Sequence, residues 1–184
     1  MAKTLSTMLP LGTKAPQFKL IDSKTNKILS LNELKSEIAT VVMFICNHCP
    51  YVIHIKEKLA EVAKVYSARG ISFIGINSND IENYPADSPA HMKEDVIQHH
   101  YTFPYLFDET QEVARAYQAA CTPDFYIFNK DLLCVYRGRF DASTPGNGID
   151  VTGEDLTKAI DAIIDGRAVG EEQHPSMGCN IKWK

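Results

Sequence analysis

Two hydrophobic periods run along the chain. "TVVMFI" at 40–45 and "ISFIGIN" at 71–77 are continuous, β-branched apolar runs, which predict strands buried on both faces. Between them Val52, Ile55, Leu59, Val62, Ala63 and Tyr66 recur at three- and four-residue spacing. That period predicts a helix from about residue 50 to Arg69, closed by Gly70. Short strands are predicted in "PQFKL" at 16–20 and "PYLFD" at 104–108, and "ILSLNEL" at 28–34 leads into a brief turn or helix. Ser88-Pro89 reads as an N-cap and first helical residue, opening a helix to about His99. Thr110 to Ala119 reads as a short helix. "DFYIFN" and "LLCVYRGRF" read as two strands joined at Asn129-Lys130-Asp131, most simply as a hairpin. Thr152, with Asp155 three residues on, reads as a capping-box variant that starts a last helix, and Gly166 closes it. "SNDIENYPADSP" at 78–89 reads as a surface loop, and 167–184 as a tail with little periodicity. The alternation of strand and helix favours an α/β domain.

Composition narrows this further. A length of 184 residues suits one domain spanning 1–184. The hydrophobic fraction of 45% and charged fraction of 23% are those of an ordinary globular chain. The net charge is −4 with both signs mixed along the sequence, and no Lys/Arg run points to nucleic acid or a membrane surface. No apolar stretch approaches the roughly 18 residues of a membrane helix. The opening "MAKTLSTMLPLGTKAP" has no continuous apolar segment of the secretory kind, so a cytoplasmic location is expected. Five cysteines are too few and too irregular for a disulfide scaffold. In a reducing compartment that leaves catalytic, metal-binding or buried roles.

The candidate chemistry centres on "FICNHCPYVIHI" at 44–55. A predicted strand delivers Cys46 to the mouth of a predicted helix, the place where sites form in α/β domains. Free N–H groups and the helix dipole favour a thiolate there. Cys49, three positions on, can close a small disulfide ring with Cys46, so that one thiol attacks and the other releases a mixed disulfide. His48 lies between them and could offer a hydrogen bond or positive charge to the Cys46 thiolate. Cys46 is the first choice as nucleophile, but Pro50 makes Cys49 the N-cap candidate and leaves the order open. The lesser reading is a zinc or copper site. A lone C-x-x-C is half of one, and the other ligands would come from His48, His54, Cys121 or Cys179. Neither a metal nor an organic cofactor is expected. Cys134, mid-strand, reads as core, whereas Cys121 and the tail residue Cys179 are candidate resolving thiols.

Four segments carry a family resemblance. "LGTKAPQFKL" resembles the G-x-x-A-P-x-F-x-L opening of the peroxiredoxin/redoxin (AhpC/TSA) family, and "TVVMFICNHCP", "ACTPDFYIFN" and "PSMGCNIKW" together resemble the peroxiredoxin-like branch of the thioredoxin superfamily. The resemblance implies a thioredoxin-like fold, here with an N-terminal extension, an inserted helix and a C-terminal tail. It also implies that Thr122-Pro123 forms a cis-proline docking surface facing the C-x-x-C. The implied activity is thiol-dependent antioxidant chemistry on a protein disulfide, with a thioredoxin-type electron donor. The alternative is a thiol peroxidase acting on hydroperoxides. Aligning Cys49 with the peroxidatic cysteine of P-x-x-x-[ST]-x-x-C puts Cys46 at the Ser/Thr position and Val42 at the proline, so both peroxide-polarising partners are replaced. The pair is expected to be more oxidising than that of thioredoxin.

Overall fold

A computed structural model describes residues 3–184. The strands are β1 (Lys3–Leu5), β2 (Lys19–Asp22), β3 (Ile28–Ser30), β4 (Ala39–Phe44), β5 (Ser72–Asn77), β6 (Tyr105–Phe107), β7 (Cys121–Thr122), β8 (Asp124–Asn129), β9 (Cys134–Gly138) and β10 (Met177–Asn180). The helices are α1 (Leu31–Leu34), α2 (Pro50–Ser67), α3 (Pro89–Gln98), α4 (Glu112–Ala116) and α5 (Glu154–Ile164), with a 3-10 turn at Pro85–Asp87. Seven strands form one sheet in the order β3-β2-β6-β5-β4-β8-β9, with β4, β5 and β6 parallel and the outer pairs antiparallel. This is the expected thioredoxin-like layout of a βαβ unit followed by an antiparallel pair and a helix. No helix among the described residues is long and apolar enough to cross a membrane.

The central strand explains why the sheet is covered on both faces. Every residue of β4 is buried, and its side chains alternate between two apolar layers. Val41 and Met43 meet Val52, Ile55 and Leu59 of α2 and Leu156 and Ile160 of α5. Val42 and Phe44 meet Leu31 of α1, Val113 and Ala114 of α4, and the rings of Tyr117 and Tyr126. Cys134 lies in this second layer, as expected of a core thiol. The parallel β4–β5 register and the α2 crossover bring the carboxyl end of β4 directly to the start of α2.

Four sequence expectations need correction. The strand expected at 16–20 is β2 and begins at Lys19; Pro16 has no N–H to give a ladder, and Phe18 turns into the core. The 78–89 segment is a surface loop only at residues 82–86, which are exposed, because Ser78, Asn79, Asp80 and Asp87 are buried and hydrogen-bonded. Helix α5 has no capping box. Gly153 is its N-cap at φ 72, where a Cβ would lie 2.6 Å from the Phe140 ring. The buried Asp141 carboxylate anchors that corner by accepting from Thr152 N–H (2.8 Å) and Gly153 N–H (2.6 Å).

The fourth correction matters most. The 167–184 segment is not a loose tail. It contains β10, the middle strand of a second, three-stranded sheet ordered β1-β10-β7. Hydrophobic periodicity misses it because four residues are too few to show a period, and its burial comes from partners far away in the chain. Beyond β10, Lys182 N–H donates to Asn79 Oδ1, and Trp183 lies under the Arg115 guanidinium at 4.5 Å. Gly178 allows the closest approach, since a Cβ there would fall 1.9 Å from the Thr122 carbonyl oxygen. Gly178→Ala is therefore expected to cost about 1–3 kcal/mol in urea unfolding, the range of core overpacking. An unchanged midpoint would contradict this packing.

Candidate active site

Cys46 leaves the end of β4, and Cys49 is the N-cap of α2 with Pro50 as its first residue. This bears out the N-cap expectation for Cys49. Proline suits that place because its missing N–H would lack a helical partner anyway. The remaining N–H groups of the first turn face the Cys49 side and favour negative charge.

Thr122 meets both cysteines. Its peptide bond to Pro123 is cis. Thr122 Oγ1 lies 3.3 Å from Cys46 Sγ, and the Thr122 carbonyl oxygen lies 3.2 Å from Cys49 Sγ. A third sulfur joins them, because Cys179 Sγ on β10 lies 2.8 Å from Cys49 Sγ. Cys46, Cys49 and Cys179 are all buried thiols.

The three sulfurs differ in charge preference. The Cys49 pKa is pulled down to about 5, first by the hydrogen bond from Cys46, with further help from Cys179 and the Val52 N–H against the opposing effect of burial. The Thr122 side chain also lowers it, whereas the Thr122 carbonyl can accept only from the neutral Cys49 thiol. Burial, donation to Cys49 and the charge of Asp87 push Cys46 well above the usual thiol range. Burial and donation to Cys49 push Cys179 up to about 12. The arrangement is one thiolate held between two thiols.

Asp87 holds the turn between the cysteines in place. Its Oδ1 accepts from the N–H groups of Asn47 (2.8 Å) and His48 (3.3 Å). Its Oδ2 accepts from His48 Nδ1 (2.6 Å) and Asn79 Nδ2 (2.8 Å). Burial opposes charge on this carboxyl, but the bonds from His48 and Asn79 hold it below the usual carboxylate range. His48 therefore makes no hydrogen bond to Cys46, contrary to expectation; its ring bonds to Asp87 and stacks on Tyr84. Lys56 Nζ steadies the same turn by donating to the Asn47 carbonyl (3.3 Å), with Asp95 as counterion at 2.7 Å. Ligand atoms of Cys46, His48 and Asp87 lie within 4.8 Å of one another. The Asp87 oxygens already accept four hydrogen bonds, so the cluster reads as a positioning network and the donor set does not favour a metal.

Of the sequence candidates, the structure unites Cys46, Cys49, Thr122 and Cys179, with Pro123 beside them. Cys121 stands apart. Strand alternation turns its side chain away from that of Thr122, and its sulfur lies 3.7 Å from the Pro123 carbonyl, with no hydrogen bond to any of the three thiols. Burial first, then the nearby Asp124 charge, drives its pKa far up. Sequence reasoning missed Asp87 and Lys56. Lys56 carried a signal, a charge four residues after Val52 on the apolar stripe of α2. Asp87 carried none, lying about forty residues away in a segment that reads as solvated.

The AhpC/TSA family profile matches residues 11–137. The chain belongs to the AhpC/TSA family. An uncharacterized conserved protein from Geobacillus kaustophilus is 55% identical over 100% of this chain and 97% of its own, with a TM-score of 0.99. A hypothetical protein from Sinorhizobium meliloti 1021 is 45% identical over 98% of both chains, with a TM-score of 0.96. The thioredoxin domain of a thiol-disulfide oxidoreductase from Bacteroides vulgatus matches 83% of this chain and 99% of its own at 16% identity and a TM-score of 0.62, which shows the shared thioredoxin-like fold. Among curated proteins none matches the sequence. In this AhpC/TSA chain the family profile ends at residue 137, before β10 and its cysteine.

Asp87 yields a prediction for this member of the family. Its folded pKa lies below the unfolded value of about 3.9, so its stabilisation is present above that pH and lost as pH falls through the folded value. Asp87→Asn should cost about 1–3 kcal/mol at pH 7, the penalty for poorly satisfied buried donors. Denaturation across pH 2–7 should show the gap between the two proteins closing at the acid end. A constant gap would contradict the ionic role.

Proposed function

We propose that this protein is a thiol–disulfide oxidoreductase in which Cys49 attacks and Cys46 resolves. The carrying observation is the Cys49 sulfur at a helix N-terminus, its pKa drawn down to about 5 by the Cys46 thiol. This assigns the attack to Cys49 instead of Cys46, the first choice from sequence. The Cys49 thiolate attacks one sulfur of a substrate disulfide, the S–S bond breaks, and the other substrate sulfur leaves as a thiolate. Cys49 is then neutral, and Cys46 loses one of the interactions that kept it protonated. Cys46 gives up its proton, attacks Cys49 Sγ and releases the second substrate thiol, leaving a Cys46–Cys49 disulfide. A low pKa at the attacking sulfur stabilises the reduced form and makes the pair oxidising.

A hydroperoxidase role has less support. Polarising the O–O bond needs donors around the reacting oxygens. All five arginines are engaged elsewhere: Arg69 with Asp161, Arg115 on Trp183, Arg137 with Gln173, Arg139 with Asp155 and Arg167 with Asp165.

Stopped-flow reaction of the reduced chain with 5,5′-dithiobis(2-nitrobenzoate) tests the assignment. Cys49→Ser should slow the first release at least about 100-fold, given the small thiolate fraction of any other cysteine at neutral pH. Cys46→Ser should leave the first release within a few-fold of the wild-type rate. The opposite pattern would assign the attack to Cys46. Equilibration with glutathione should give a potential above the roughly −270 mV of thioredoxin; a value at or below it would contradict an oxidising pair.

A further inference from the structure

The edge strand beside Pro123 is already occupied. Residues 177–180 run antiparallel to β7, with Cys179 opposite Thr122 and Asn180 opposite Cys121. Ile181 N–H continues the ladder to the Ala120 carbonyl at 3.1 Å. An extended peptide adding itself to a sheet edge makes this kind of pairing, with backbone bonds for affinity and alternate side chains for specificity. The far edge of β10 is covered in turn by β1, with Lys3 opposite Cys179 and Thr4 opposite Gly178. Gly178 lies over the Thr122 carbonyl where any Cβ would collide, and the next residue points its sulfur at Cys49 from 2.8 Å.

We propose that β10 is an internal substrate strand: it holds the place of an incoming cysteine peptide, and Cys179 is the first disulfide partner of Cys49. The proposal rests on the reading of Cys49 as nucleophile and adds a partner and a form of regulation to that site. With a low-molecular-weight disulfide RSSR as oxidant, Cys49 displaces one RS⁻ and carries the other RS group. The Cys179 thiol loses its proton, attacks Cys49 Sγ and displaces the second RS⁻. Two cysteine thiols are oxidised to the Cys49–Cys179 disulfide, and RSSR is reduced to two RSH. Closing the gap from 2.8 Å to a disulfide of about 2.05 Å needs only a sub-ångström shift. Cys46 then attacks Cys49 and expels Cys179 as a thiol, the step by which it would release an external peptide. No further oxidant is consumed. With Cys179 released, β10 is held at the Thr122 edge by backbone pairing alone, as in the reduced chain, and an external polypeptide competes with it for that edge.

The test is disulfide mapping after oxidation with 5,5′-dithiobis(2-nitrobenzoate), quenched with N-ethylmaleimide and read by peptide mass. Cys46→Ser, with Cys46→Ala as a second variant should the first fold poorly, removes the exit step. Each should accumulate the Cys49–Cys179 bridge and release two nitrothiobenzoates per chain. In the wild type that bridge should form first and give way to Cys46–Cys49. In Cys179→Ser, Cys46–Cys49 should form with no preceding bridge, and an unfolded polypeptide disulfide should be reduced at least threefold faster than by the wild type. A persistent nitrothiobenzoate adduct on Cys49 with Cys179 fully alkylated would overturn the internal strand while leaving the Cys49 assignment standing. An adduct on Cys46 with Cys49 alkylated would overturn both. No gain toward the polypeptide in Cys179→Ser would overturn the competition for the edge.

Discussion

The site depends on where one threonine sits. Thr122 contacts Cys46 through its hydroxyl and Cys49 through its carbonyl, and its strand pairs with β10, which carries Cys179. Three segments remote in sequence are thereby fixed around one sulfur. The electrostatics follow from that convergence. A buried thiolate is costly without donors, and Cys49 has two S–H donors and the N-terminal turn of α2.

The same constraint orders the supporting residues. The turn at residues 46–49 must present both sulfurs to Thr122, so its backbone N–H groups face the other way and need an acceptor. Asp87 supplies it, and its charge in turn keeps Cys46 a donor. Lys56 of α2 meets the Asn47 carbonyl of the same turn. The buried polar groups Asn77, Asn79 and Asp87 serve this turn, and they are satisfied by one another and by the C-terminal residues near Lys182.

Much of this was legible in the sequence, and the reason is local. Continuous apolar runs and the α2 stripe carry their own period, so β4, β5, α2 and α3 lie within a residue or two of their expected bounds. The C-x-x-C declared its place because strand, pair and proline follow in order. Features that depend on distant partners were not legible. The four residues of β10 have no period to read, and their burial comes from β1 and β7, both far from it in the chain. Asp87 lies in a stretch whose polarity reads as solvated, yet it is buried by the turn it serves. His48 was placed correctly between the cysteines, but its partner could not be known without Asp87.

Site-resolved NMR titration with ¹³Cβ-labelled cysteine tests the central claim most directly. The reduced chain should show the Cys49 resonance titrating near pH 5, well below the usual thiol value of about 8.5. Cys46 and Cys179 should stay protonated until strongly alkaline pH. A Cys46 resonance that titrates first, or a Cys49 midpoint near 8.5, would contradict the account.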